Sequence, residues 1–369
     1  MSSTLPPEAA GLLALGALLL LPGLLVVRAP WTAVPALSLA FWTLSWWWLP
    51  FAARSRVLLA ALAFFSVLAL LRFLPKHTVA PPPGYTGPVP SPPVTGPTTG
   101  DVPRLRSAPS LAVGGVALAL LVPLPFERHA PGPEMAFHTT SARLALWRDG
   151  APATYEPLLP VGPFGAHSPA VPMLAGDLAR LAGLDPARAV VLTTLVSHGL
   201  LVIGLYALLC ATALRPSAAA LAALVGLAVT PWPGVLAMWG AGGPTLALAF
   251  CLSAAALLLA HTSRPSAVAA GMLLGAAALA QPLLTLAMVI ALAVMIRRQR
   301  LALAFGVAAV LATPGLLPLA RALSVSEALG VLGSPRPQEL VDLFTGLVLV
   351  TLVVLLARGL REGSRLSRT

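Results

Sequence analysis

Hydrophobic and polar positions in this chain fall into blocks. Apolar runs recur from end to end, and the one long polar interval between them is 127–188. An α-helix needs about 20 consecutive apolar residues to cross a bilayer, so this pattern predicts an all-α, polytopic helical membrane protein. A first span covers 9–27 and is closed by Arg28-Ala29-Pro30. A second covers 33–51 and finishes in Trp46-Trp47-Trp48, expected as an aromatic belt at the membrane interface. A third covers 57–74. After the proline-rich stretch PPPGYTGPVPSPPVTGPTTG, a fourth span at 109–125 leads into the polar interval. Beyond it, spans are expected at 189–212, 217–237 and 245–260. The run 267–296 is too long for one ordinary span and is interrupted at Gln281-Pro282. It reads as two short spans meeting there, with one proline-kinked helix as the alternative. Spans at 301–319 and 339–357 bring the expected number of transmembrane helices to about 11.

This layout divides the chain into N-terminal transmembrane helices (1–76), a Pro-rich linker (77–104) and a larger transmembrane unit (105–369) with an external loop at 127–188. The linker has no apolar period and too much proline for helix or strand, so it should be extended and solvated.

Composition fits this picture. Of 369 residues, 58% are hydrophobic and only 9% charged, and mean hydropathy is +0.89. In soluble domains about a quarter of residues are charged. The net charge of +11 invites a nucleic-acid partner, but the basic residues are scattered between apolar blocks or gathered at the C-terminus. They form no stripe on a soluble face, and no nucleic acid is expected. Basic excess in a membrane protein records orientation instead. With the N-terminus outside and the C-terminus cytoplasmic, fourteen of the 23 basic residues fall inside, and 127–188 lies on the extracytoplasmic face. The near-absence of lysine among the basic residues points to a GC-rich bacterial genome, and so to a bacterial cytoplasmic (inner) membrane. Cys210 and Cys251 sit within apolar runs at no metal-binding spacing and read as small core residues. The first apolar run lacks a basic leader and carries Glu8 ahead of it, so it is expected to remain as a helix.

The polar interval carries the candidate chemistry. It holds six of the twelve acidic residues and three of the six histidines: His129, His138 and His167. In 168–183, Val171, Leu174, Leu178 and Leu181 recur at helical spacing, with Asp177 and Arg180 on another side. That pattern suits an interfacial helix lying on the bilayer. A weaker helical pattern covers 134–147, with Leu144 and Trp147 on its apolar side. Glu134 and His138 are four apart and share one helix face. Such a pair can act as base and orienting partner, or together hold a divalent cation such as Mg or Mn. It can equally be a solvent-facing pair whose glutamate is favoured by the helix dipole. Glu156 and His167 could join only if the loop folds back.

The order of a span, PGPEMAFHTTSARL, then PLLPVGPFGAHSPAVPMLAGDLARLAGLDP and an apolar remainder resembles the GT-C superfamily of polytopic glycosyltransferases. It is more narrowly similar to an uncharacterised bacterial branch, which tends to carry leading spans with a Leu-Pro-Gly motif, here Leu21-Pro22-Gly23. The resemblance implies sugar transfer from a polyprenyl-phosphate donor to an acceptor at the extracytoplasmic face, with membrane lipid as the other partner. Glu134 occupies the place of the family's external-loop acid, more often aspartate, and His138 matches a histidine of the related sequences. His167 falls where a His/Tyr-Pro-Pro segment stands. Catalysis would then rest on Glu134 and His138, and substrate binding on Arg143, Arg148, Glu156 and His167, with the two arginines as phosphate partners. Two other classes stay open. One is a non-catalytic protein that keeps the scaffold. The other is a transporter or flippase, whose spans would be expected to carry more polar groups than these.

Overall fold

The structure is a computed structural model that describes residues 7–26, 30–48, 54–73, 132–158, 164, 169–212, 214–229, 242–296 and 298–324. Every regular element among them is helical. Three leading helices are α1 (Pro7–Leu20), α2 (Val34–Trp48) and α3 (Arg54–Phe73). The polar interval supplies α4 (Gly132–Arg148) and α5 (Ala170–Ala182). The remainder gives α6 (Pro186–Ala211), α7 (Pro216–Val229), α8 (Gly242–Ala260), α9 (Arg264–Ala280), α10 (Pro282–Met295) and α11 (Arg298–Ser324). The expected spans at 109–125 and 339–357, the linker and the C-terminal tail lie outside the described residues.

Among the described residues, three segments are long and apolar enough to cross a membrane: Pro186–Ala211, Gly242–Ala260 and Gln299–Leu317. Shorter apolar helices lie at Leu13–Leu25, Arg264–Ala280 and Pro282–Ala293. The long run splits as its proline suggests. Gln281 is extended (φ −160°, ψ 96°), ending α9 and preceding Pro282 at the first position of α10. Proline has no N–H and is accommodated at a helix start, where that donor would have no intrahelical partner.

Helix α6 packs on α8, α8 on α9, and α9 on both α11 and α2. The contact of α9 with α11 depends on small residues. Gly271 and Gly275, four apart, lie against Ala304 and Ala308 of α11. A Cβ added at Gly271 would come within 2.6 Å of the Ala304 carbonyl oxygen and 2.7 Å of Val307 Cβ. Small residues at this spacing let helix backbones approach closely, which is how apolar helices associate where water provides no drive. Gly23 acts similarly after α1. Its N–H donates to Ser38 Oγ at 2.9 Å, and a Cβ there would meet the Val34 carbonyl at 2.2 Å. The Leu21 carbonyl accepts from the Trp42 indole at 2.7 Å, so the Leu-Pro-Gly turn is fastened to α2.

The element that departs most from expectation is α5. It forms where the periodicity placed it, but it does not lie on a surface. It packs against α1, α2, α3, α4, α6, α8 and α9, and all but Arg180 and Leu181 of its residues are buried. The reason is its composition: AVPMLAGDLARLA is small or apolar around nearly its whole circumference, the mark of an enclosed helix. Gly183 ends it in the left-handed conformation (φ 65°), and Asp185 caps α6 by accepting from the Ala187 N–H at 2.8 Å. The tryptophan triplet also departs from expectation. Trp46 and Trp47 are buried, and only Trp48 is exposed.

The glycine contact yields a test. Gly271→Val should lower stability by about 1–3 kcal/mol through overpacking against α11. Gly306, whose Cβ would meet nothing within 4 Å, should accept alanine without loss. Thermal unfolding of both variants in detergent checks the pair; equal midpoints would remove the close-packing explanation.

Candidate functional site

Glu134 stands in the first turn of α4, half-exposed, and His138 one turn further on is buried at 6% exposure. The buried face of α4 also carries Met135, Ser141, Ala142 and Ala145. Successive residues turn by 100° around a helix, which places Glu134 on the same side as these. It is half-exposed, in the helix's first turn. The pair thus places a half-exposed acid one turn ahead of an enclosed imidazole. Beside it, Phe137 packs on Tyr155 (ring centroids 5.3 Å apart), and Tyr155 packs on Phe164 (4.9 Å) while donating from its hydroxyl to the Phe164 carbonyl at 3.0 Å. Burial raises the Tyr155 pKa well above its ordinary value, partly offset by a hydrogen bond from Ser141. Tyr155 is therefore a neutral packing residue that ties the loop after α4 back onto that helix.

Arg143 and Arg148 are not brought to this pair. Arg143 is nine residues beyond Glu134, which puts it about 13 Å along α4 and on the opposite face. It is exposed and faces Asp185 at 3.7 Å, with side chains 59% and 55% accessible. Arg148 is 14 residues on, about 21 Å along the axis, stacked over the exposed Trp147 ring at 4.9 Å. Leu144 is buried as expected, whereas Trp147 is not. Glu156 is exposed in the following turn, and His167 lies outside the described residues. Among the described residues, no three His, Cys, Asp or Glu side chains gather into a metal-holding group. Glu134 and His138 by themselves offer two donors, fewer than a hard divalent cation takes.

Among the described residues, a dense polar cluster lies at the other end of α4, on residues whose pairing the sequence does not reveal. Arg54, the first residue of α3, meets Asp177 of α5 side-on: Nε to Oδ1 at 3.1 Å and Nη2 to Oδ2 at 2.6 Å. Both side chains are essentially inaccessible, at 2% and 0%. Trp46 donates its indole N–H to Asp177 Oδ2 at 2.9 Å, and its ring lies 4.5 Å from the Arg54 guanidinium carbon. Arg54 Nη2 also donates to Ser45 Oγ at 3.0 Å. Complete burial pushes the Asp177 pKa upward, and the Arg54 guanidinium, the Trp46 N–H and the more distant Arg180 oppose that rise.

Asp149 forms an outer tier. Its carbonyl accepts from the Arg54 N–H at 3.0 Å, and its carboxylate from the Ser55 N–H and hydroxyl, each at 3.0 Å. Arg180 Nη2 reaches the same carboxylate at 2.8 Å.

No protein-family model, curated protein or solved structure matches this chain. Its function has to be argued from its own residues.

One signal for the inner pair was present in the sequence. A single acid in a helix made otherwise of small and apolar residues, Arg180 apart, must be paired once that helix is enclosed, because an unpaired buried charge is too costly to keep. What the sequence could not give is the partner, 123 residues away.

Removing one partner of a buried pair costs about 3–5 kcal/mol, while replacing both with apolar groups is often near neutral. Asp177→Leu should therefore destabilise strongly, and Arg54→Leu combined with Asp177→Leu much less. Arg143→Ala, which breaks an exposed pair, should stay within about 1 kcal/mol. Unfolding midpoints of the three variants decide this, and additive losses at positions 54 and 177 would contradict the pairing.

Proposed function

We propose that the chain is a membrane glycosyltransferase of GT-C type. It moves a sugar from a polyprenyl-phosphate donor to an acceptor at the extracytoplasmic face of a bacterial inner membrane. The observation that carries this reading is the placement of Glu134: a half-exposed acid in the first turn of the first polar helix, with the buried His138 one turn on. Glu134 removes the proton of the acceptor hydroxyl as its oxygen attacks the anomeric carbon. The bond from that carbon to the phosphate oxygen breaks, and the polyprenyl phosphate leaves with the bonding pair. His138 holds the carboxylate's orientation from the protein side. Arg143 and Arg148, exposed and distant from the pair, act instead at the surface against lipid headgroup phosphates.

The full topology belongs to the same proposal: about 11 spans, with the N-terminus outside and the C-terminus cytoplasmic. Two contacts support it. Arg54 and Asp177 belong to different connecting segments that this topology puts on the outer face, and they bond directly. Arg300 donates to the His261 carbonyl at 2.9 Å, joining two segments that it puts on the inner face.

A second reading is a non-catalytic scaffold of the same architecture. It is favoured by the concentration of polar bonding at Arg54, Asp177, Asp149 and Arg180, where it holds helices together. Transfer from polyprenyl-phosphate sugars by the purified protein separates the two. Wild type should transfer and Glu134→Gln should lose about 10²–10⁴-fold in rate, with Arg143→Ala close to wild type. Undiminished transfer by Glu134→Gln would remove Glu134 as the base, and no transfer by wild type would favour the scaffold.

A further inference from the structure

Asp149 ends α4 in an unusual way. Its φ is +51°, the left-handed conformation that a non-glycine residue adopts at some cost, although Gly150 follows directly. A glycine at this point would end the helix without that cost. What aspartate adds is its carboxylate, which receives three donors from two other helices: the Ser55 N–H and hydroxyl of α3, and the Arg180 guanidinium of α5. Together with its carbonyl, which accepts from the Arg54 N–H, Asp149 satisfies two of the amide donors that open α3. These are donors that a helix start otherwise leaves to a neighbouring capping residue. The cap for α3 therefore comes from a residue 94 positions away. Arg54 itself then reaches past Asp149 into α5, to Asp177.

We propose that Asp149 is a positioning residue: through it, α3 fixes the axial placement of α4 and so of Glu134 and His138 at the helix's other end. Three features carry the inference. The αL backbone is occupied by a residue whose side chain, not its conformational ease, explains its presence. The carboxylate bonds to α3 and α5 at once, so neither helix can shift along α4 without breaking a hydrogen bond. Near Glu134, Phe137 stacks on Tyr155, and α4 packs along α5 and α6; to these apolar contacts Asp149 adds a directional, hydrogen-bonded fastening at the C-terminal end. A helix is stiff along its axis, so a shift at Asp149 is transmitted over the roughly 22 Å to Glu134. This deepens the catalytic reading by naming what holds its helix in place, and its structural part stands independently of that reading.

The test is hydrogen exchange on the full chain in lipid nanodiscs. Asp149→Gly removes the carboxylate while easing the αL backbone, so it separates the clasp from local strain. Asp149→Asn keeps an acceptor for the α3 cap and tolerates the same backbone. Exchange across 132–140 is expected to rise about tenfold in Asp149→Gly, as a local opening equilibrium shifts, and to remain near wild type in Asp149→Asn. Changes confined to 54–57 and 146–150, with 132–140 unaltered, would overturn the proposal. Ser55→Ala, which removes one donor only, provides a milder variant should Asp149→Gly not fold. It is expected to move 132–140 in the same direction by about two- to threefold, and no movement there would be equally fatal. In the transfer assay Asp149→Gly should lower kcat, with recovery in Asp149→Asn. If wild type shows no transfer while the exchange coupling is present, the catalytic reading fails and the positioning role stands.

Discussion

A carboxylate with no accessible surface governs how this chain is put together. Asp177 sits in the middle of a helix that touches most of the others, and a lone ion there would cost several kcal/mol. The fold meets that cost with a guanidinium held side-on, an indole N–H and a cation–π contact from the same tryptophan. Those partners come from α2 and α3, so α5 can be enclosed only when the leading helices are in place. The second tier at Asp149 repeats the arrangement nearer the surface, and there α4 is the helix being fixed. Glu134 thus stands on a helix anchored at its far end.

This dependence on long-range pairing marks the boundary of what the sequence makes legible. Local signals are legible. The Gln281-Pro282 break and the two helices of the polar interval follow from proline chemistry and periodicity, while α6 begins three residues ahead of the span expected at 189, where Asp185 caps it. Those forces act over a few residues and are written in consecutive letters. The environment of each helix was less legible. The block at 168–183 has a period that suits a surface helix, yet its small residues on every side allow full enclosure, and tertiary packing chose the latter. Trp46 has the composition of a membrane belt residue and the position of a hydrogen-bond donor to Asp177. Only the fold distinguishes these two roles.

The candidate site was legible to the same degree. That Glu134 and His138 share a face follows from their spacing, and the structure adds that one is half-exposed and the other enclosed. Arg143 and Arg148 looked equivalent as phosphate partners because sequence proximity suggested spatial proximity. On one helix, nine residues carry a side chain to the opposite face, and 14 return it to nearly the same face at a distance. Counting turns along the sequence would have separated them from Glu134 without any structure.

The break at Gln281 also bears on the surrounding lipid. The helix that follows it has 14 residues, about 21 Å of rise, and its exposed side carries Leu283, Leu286 and Ile290. A hydrocarbon core is about 30 Å thick. In the topology proposed here, acyl chains along that side would have to shorten to match the helix, so the protein would dimple the bilayer around α10 and favour thinner membrane.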